Sequence, residues 1–157
     1  MVDKRDLMKE TEKSFGSLKK ELGLKVEFKE LDGEFHVVDS VFETGYVLNE
    51  FSIQLTSRIV DYFRNWSGYL NGLLMPNASY YASQTESKLF NAEEERQKVW
   101  KIIKTCMDFS SMYSLMHLKN DREMIGKFID EAYQAWVSEV RPFMIEVLGK
   151  VNKAWSK

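Results

Sequence analysis

The chain has 157 residues, of which 44% are hydrophobic and 29% are charged, and this composition is typical of a folded globular domain rather than of a disordered segment. The length fits one domain over residues 1–157, and the formal net charge of −2 provides no positive field that would attract a nucleic-acid partner. No stretch reaches the roughly 18 apolar residues that a membrane span needs, so we expect no membrane partner.

The N-terminal segment, MVDKRDLMKETEK, lacks the apolar core of a signal peptide. Cys106 is the single cysteine, so no disulfide can form within one chain, which suits a reducing compartment. Together these features predict a cytoplasmic location.

The first predicted helix ends near Gly23, a residue type that favours the left-handed conformation of a helix C-terminus. Apolar and small residues recur before it at three- and four-residue steps, which is the pattern of a helix with one buried face. The residues on this face are Met8, Thr11, Phe15, Leu18 and Leu22.

The segment LKVEFKELDGEFHVVDS follows the first helix. Val26 and Phe28 alternate with charged residues, and the pair Asp32-Gly33 then precedes a second run of apolar residues. Because Asp-Gly between alternating segments is a strong short-range signal for a hairpin turn, residues 24–39 are predicted to form a small β-hairpin.

Three long helices are then predicted over residues 41–74, 85–118 and 122–155. Each is preceded by a capping signal, SVFE at Ser40, SQTE at Ser83 and NDRE at Asn120. A second cap at Asn91 leaves open an alternative in which a short helix ends before residue 91. Pro142 lacks a backbone N–H, so a kink is expected at residues 138–141. The fold class predicted is all-α, an antiparallel up-and-down four-helix bundle with the β-hairpin between helices 1 and 2.

The aromatic passage WSGYLNGLLMPNASYY spans residues 66–81. The favoured interpretation is a helix end followed by a turn, because Pro76 cannot continue a helix. Gly68 and Gly72 would then let a neighbouring backbone or aromatic ring approach closely. The alternative is an aromatic patch that binds a partner helix or a flat ligand. The residues of that weak candidate site are Trp66, Tyr69, Tyr80 and Tyr81.

Two further candidate sites involve ionisable residues. Glu139 falls near the apolar face of the last helix and beside Pro142, where it either lies at the edge of the bundle or marks a buried site. His36, His117 and Asp121 would meet at one pole of the bundle, where two imidazoles and a carboxylate are a possible metal-ligand set. Histidines near helix ends also commonly complement the helix dipole. Neither histidine follows a glutamate by three residues, which excludes the di-iron pattern of helical bundles.

The helix predicted over residues 85–118 places Cys106 among Ile102, Ile103 and Phe109. Such surroundings raise the pKa of a thiol and make it inert, so Cys106 is interpreted as a structural residue.

No catalytic set and no cofactor are predicted. The leading hypothesis is a non-enzymatic interaction protein that self-associates, as a dimer, because the chain is rich in aromatic residues and methionine. The alternative is a ligand- or metal-binding bundle, with or without enzymatic activity, whose site lies at the pole of His36 and His117 or around Glu139.

Overall fold

The computed structural model describes residues 3–157, and this part of the chain is helical, with no β-strand. None of its helices is long and apolar enough to cross a membrane. The all-α class is therefore confirmed. The elements in chain order are α1 (Lys4–Leu22), α2 (Phe28–Phe35), α3 (Val37–Thr44), α4 (Phe51–Leu74), α5 (Tyr81–Lys88), α6 (Glu93–Lys119), α7 (Arg122–Ala135), a π-helical segment (Trp136–Val140) and α8 (Arg141–Trp155).

The chain divides into two compact units. The first contains the described residues up to Tyr62 together with Ser111–Tyr133, and the second contains Phe63–Ser110 together with Gln134–Lys157. Helices α4 and α6 each contribute one part to each unit. The single domain over residues 1–157 and its four-helix arrangement stay predictions.

The predicted hairpin at residues 24–39 is wrong, because this segment forms α2 and α3. Leu31 and Phe35, which are both fully buried, lie one helical turn apart on the inner face of α2. The Asp32 carboxylate does not sit in a turn between strands. It accepts a hydrogen bond of 2.9 Å from the Val38 N–H in the first turn of α3. His36, with a φ of 50°, separates the two helices.

Two of the predicted capping signals lie inside helices. Ser40 belongs to α3, where its hydroxyl donates to the Val37 carbonyl oxygen at 2.7 Å. The chain then leaves the helix at Gly45, whose φ is 80°. Ser83 lies within α5, and the interval between α5 and α6 matches the alternative of a short helix ending before residue 91.

The third capping signal is displaced by one residue. Asp121 caps α7, since its carboxylate accepts a hydrogen bond of 3.1 Å from the Met124 N–H. Asn120 takes the left-handed conformation instead, with a φ of 51°.

A π-helical segment, Trp136–Val140, overlaps residues 138–141, where a kink is predicted; the kink itself stays a prediction. Pro142 has no N–H to donate to the carbonyl one turn earlier, so the ordinary α-helical ladder cannot continue through it. The Arg141 N–H instead reaches the Trp136 carbonyl oxygen, five residues back, which is the bond that defines a π-helix.

Helix α1 ends as predicted. Gly23 has a φ of 65°, and its N–H donates to the Lys19 carbonyl oxygen. The buried face differs at both ends, because Leu7 is buried whereas Met8 is 44% exposed, and Leu22 is only half-buried.

Candidate functional site

The passage 66–81 contains the helix end and turn that its sequence predicts. Helix α4 ends at Leu74, two residues before Pro76, and α5 begins at Tyr81. The turn between them is closed by an Asx-type contact, in which the Asn77 side-chain oxygen accepts a hydrogen bond of 2.9 Å from the Ser79 N–H. The favoured interpretation is therefore confirmed, but the same turn also brings α5 back against α4.

Three serine and glutamine side chains hold α5 in place. The buried Ser87 hydroxyl donates to the Leu73 carbonyl oxygen of α4 at 2.6 Å. The Ser83 hydroxyl accepts a hydrogen bond of 3.2 Å from the Asn77 N–H, and Gln84 donates to the Ala78 carbonyl oxygen at 2.6 Å. These bonds fix one face of α5 over the last turns of α4.

A pocket of about 220 Å³ lies between α4 and α5. Its lining combines glycines, tyrosines and one carboxylate. The lining residues are Gly68, Tyr69, Gly72, Leu73, Tyr80, Ser83 and Glu86.

The two glycines leave open space on the α4 side of the pocket. A Cβ atom added at Gly68 would meet no atom within 4 Å, and one added at Gly72 would have only the Ser83 hydroxyl, at 4.0 Å. The expected close approach of a backbone or ring to these glycines is therefore wrong. Each glycine inside a helix costs about 1 kcal/mol relative to alanine. The lack of side chains at Gly68 and Gly72 leaves empty volume beside Tyr69.

Tyr69 carries the most unusual polar group of the pocket. Its hydroxyl oxygen is buried and has no hydrogen-bond partner of ordinary geometry in the described structure. The Glu86 carboxylate is nevertheless close. Burial first, then the negative charge of Glu86, and last a hydrogen-bonding interaction with this carboxylate that falls outside ordinary geometry, raise the pKa of Tyr69 to about 12. We interpret the two side chains as neighbours rather than as a well-formed hydrogen-bonded pair. The Tyr69 hydroxyl thus stays protonated and available as a donor over the physiological pH range.

Glu86 is oriented by α8. One of its carboxylate oxygens accepts a hydrogen bond of 3.2 Å from the indole N–H of Trp155. Neither residue was singled out from the sequence, because Glu86 was assigned to the capping signal SQTE. No spacing in the chain joins Trp155 to a residue 69 positions earlier.

The four aromatic residues of the predicted patch have different environments. The Trp66 ring packs edge-on against Tyr69, with centroids 6.1 Å apart. Tyr80 is 62% exposed and lines the pocket, whereas Tyr81 is 79% exposed and does not. The structure therefore brings Tyr69 and Tyr80 into one pocket, with Trp66 behind it, and leaves Tyr81 outside.

Glu139 lies elsewhere, within the π-helical segment. It is exposed, and its carboxylate is 3.5 Å from the Thr105 hydroxyl, at the outer limit of a hydrogen bond. This exposed position agrees with the interpretation of Glu139 as an edge residue rather than as part of a buried site.

The residues of the predicted metal site have separate structural contacts. The His36 ring nitrogen Nδ1 is 3.7 Å from the Asp39 carboxylate, and Asp121 caps α7. The His117 ring packs edge-on against Tyr113 at 4.4 Å, with its Nε2 buried and without a hydrogen-bond partner of its own. Within residues 3–157 no group of three or more His, Cys, Asp or Glu side chains is placed to hold a metal ion.

Cys106 is fully buried, and burial raises the pKa of its thiol to about 12. We therefore expect iodoacetamide at about pH 8 to leave the folded protein unlabelled, because the thiolate is the reactive species. Intact mass should show one label per chain only after unfolding in guanidinium chloride. Rapid labelling of the folded protein would contradict the inert, structural assignment.

The exposed side of α8 carries the second candidate surface. Ile145 is 60% exposed, Leu148 37% and Trp155 49%. With about 100° of rotation per residue, these three side chains lie within about 80° of one another on the helix. We call them the α8 face. The charged residues Glu146, Lys150 and Lys153 lie on the opposite arc, so the exposed apolar side chains are not scattered singly.

The chain matches no protein-family model, and searches of curated proteins and of solved structures found no match either. Function must therefore be inferred from the side chains themselves. Two features of the second unit offer a basis, the α8 face and the pocket between α4 and α5.

Proposed function

We propose that the protein is a non-enzymatic cytoplasmic interaction module that self-associates as a dimer through the α8 face. The observation that carries this proposal is the row of exposed apolar side chains on α8. Burying them against a second copy would remove apolar surface from water, which is the main driving force of association.

The spacing on α8 favours a second copy of the same helix as the occupant. Residues 145, 148, 152 and 155 follow the alternating three- and four-residue steps of a helix-pairing seam. In an antiparallel pair related by a two-fold axis near residue 150, Ile145 faces Trp155 of the second copy. Leu148 then faces Asn152 of the second copy. The row is thus complementary to itself when reversed, as an isologous interface requires.

The flank of this seam also suits close pairing. Gly149 lies beside the seam, and a Cβ added there would meet no atom within 4 Å, so the backbone of a second helix has room to approach. The charged side chains Glu146, Lys150 and Lys153 lie away from the seam and need not be desolvated. A single pair of helices buries less area than a typical permanent interface, so we expect a dissociation constant on the order of micromolar.

The test is the molar mass in solution over concentrations from about 1 to 500 μM, measured by sedimentation velocity. We expect the wild-type mass to rise from one to two chains across this range. The double variant Ile145→Lys/Leu148→Lys should stay monomeric, because it removes two apolar side chains from the seam and would bury two lysines there without a partner of opposite charge.

The matched control is Ile53→Lys/Leu115→Lys, which changes the same two residue types at exposed helix positions of the first unit. We expect this control to dimerise like the wild type. A wild-type protein that stays monomeric at the highest concentration would refute self-association. A dimer that persists in the Ile145 and Leu148 variant would refute the α8 face.

A further inference from the structure

We propose that the pocket between α4 and α5 binds a small organic ammonium ion that carries an oxygen atom, such as an amino alcohol. The proposal rests on the shape of the pocket, the charge of Glu86, the two tyrosine rings and the unpartnered Tyr69 hydroxyl. It does not depend on the proposed self-association.

The size of the pocket limits the ligand. Its volume of about 220 Å³ is below the roughly 300 to 1,000 Å³ of sites that take drug-sized molecules. The occupant should therefore contain only a handful of non-hydrogen atoms. Gly68 and Gly72 both line the pocket, and neither carries a side chain that would narrow it.

The charge of the pocket selects a cation. Glu86 is the only ionisable carboxyl group among the lining residues, and no lysine or arginine is among them. The Trp155 indole occupies one oxygen of this carboxylate at 3.2 Å, which orients it and leaves further acceptor capacity. A partly buried carboxylate that lacks a cationic neighbour attracts an ammonium group.

The aromatic walls favour an organic cation over a metal ion. The faces of tyrosine rings attract ammonium groups, and this attraction strengthens when water is excluded. Tyr69 and Tyr80 both line the pocket. A bare metal ion would instead need several oxygen ligands, and only one carboxylate is offered.

The Tyr69 hydroxyl adds a second requirement. It is buried, protonated and without a partner of ordinary geometry, and buried donors are nearly always satisfied. A ligand oxygen next to the ammonium group would accept this hydrogen bond. An amino alcohol carries both groups within a few atoms, whereas a lysine side chain from another protein ends in an ammonium group with no acceptor beside it.

The direct test is to titrate the protein with choline and to monitor the ¹⁵N–¹H signal of the Trp155 indole, which adjoins Glu86. We expect a saturable shift with a dissociation constant on the order of 0.1–1 mM. The uncharged isostere 3,3-dimethylbutan-1-ol should bind at least about tenfold more weakly, since only the positive charge differs. Equal binding of the two compounds, or the lack of a saturable shift, would overturn the proposal.

Three variants test the residues, with folding checked by circular dichroism. Glu86→Gln keeps the shape and an acceptor for Trp155. It should weaken choline binding at least about tenfold, because it removes the negative charge that attracts the trimethylammonium group. Tyr69→Phe removes only the hydroxyl and should weaken choline binding about threefold to tenfold. Gly68→Ala/Gly72→Ala adds two methyl groups to the pocket wall and should weaken choline binding about tenfold while raising Tm by a few degrees, because alanine favours the helix. Choline binding of wild-type strength in the glycine double variant would place the ligand elsewhere.

Matched controls and competing ligands complete the design. Glu43→Gln and Tyr81→Phe change exposed residues that do not line the pocket and should bind choline like the wild type. The monomeric Ile145→Lys/Leu148→Lys variant should also bind it. Tighter binding of a blocked lysine than of choline would show that the pocket takes a protein side chain, and would overturn the assignment to a free amino alcohol.

Discussion

Phe63→Ala should lower the free energy of unfolding by about 3–5 kcal/mol. Phe63 is fully buried in the second unit, where its ring packs against Phe109 at 5.0 Å and Trp136 at 5.7 Å between centroids. Alanine removes the ring and leaves a cavity between two large aromatic side chains, and these cannot collapse into it without leaving their own contacts. Chemical denaturation in urea at 25 °C measures the change.

Phe63→Leu is the matched variant. Because leucine keeps most of the apolar volume, this change should lower the free energy of unfolding by less than about 1.5–2 kcal/mol. Trp100→Ala, at a partly exposed position of α6, should cost less still. If Phe63→Ala were no more destabilising than Phe63→Leu, the aromatic cluster would not be a principal source of stability in this unit.

Asp130→Ala should lower the free energy of unfolding by about 2 kcal/mol. Asp130 lies on α7, and its carboxylate accepts hydrogen bonds of 3.1 Å from the backbone N–H groups of Lys25 and Val26. These N–H groups belong to the connection between α1 and α2, so one side chain fixes the start of the segment that the sequence predicts as a hairpin. The partial exposure of Asp130 keeps the expected loss below that of a fully buried charged group.

Two neighbouring substitutions sharpen this prediction. Asp130→Asn keeps one acceptor oxygen but loses the charge, so its cost should be about half that of alanine. Glu131→Ala removes only an exposed contact with Lys127 at 3.9 Å and should cost less than about 0.5 kcal/mol. Equal losses for Asp130→Ala and Glu131→Ala would mean that the bonds to the α1–α2 connection contribute nothing to stability. Hydrogen exchange of the Lys25 and Val26 amides would localise the effect.

Features that depend on residues close together in the chain were predictable. Gly23 ends α1, because the conformational freedom of glycine acts within one turn. Pro142 predicted only a kink, and the π-helical segment beside it was not foreseen. The apolar neighbours of Cys106 were likewise enough to predict its burial. The helical class follows from the same kind of information, a period of apolar residues repeated over many turns.

The hairpin prediction for residues 24–39 was wrong because the local signals in this segment conflict. Asp32-Gly33 favours a turn, but Leu31 and Phe35 lie one turn apart and are both buried in α2. Short apolar segments do not distinguish a strand from a helix by period alone. Their conformation is fixed by packing and by distant partners such as Asp130.

The candidate pocket could be predicted only in part. The aromatic passage drew attention to Tyr69 and Tyr80, which do line it. Glu86 and Trp155 were missed, because a hydrogen bond between α5 and α8 leaves no mark in the spacing of residues.

The sequence by itself determined the helical class, several helix ends and the inert cysteine, since these are set by backbone limits and local apolar patterns. Only the tertiary structure decided which helices break, how residues 24–39 fold, and which side chains meet at the pocket. The physical reason is that such contacts depend on free energy shared between segments far apart in the chain. Gly126 is an example of such a contact, because a Cβ atom at this position would lie 3.3 Å from the Leu22 carbonyl oxygen. The residues around Gly126 and those around Leu22 give no sign of this close approach.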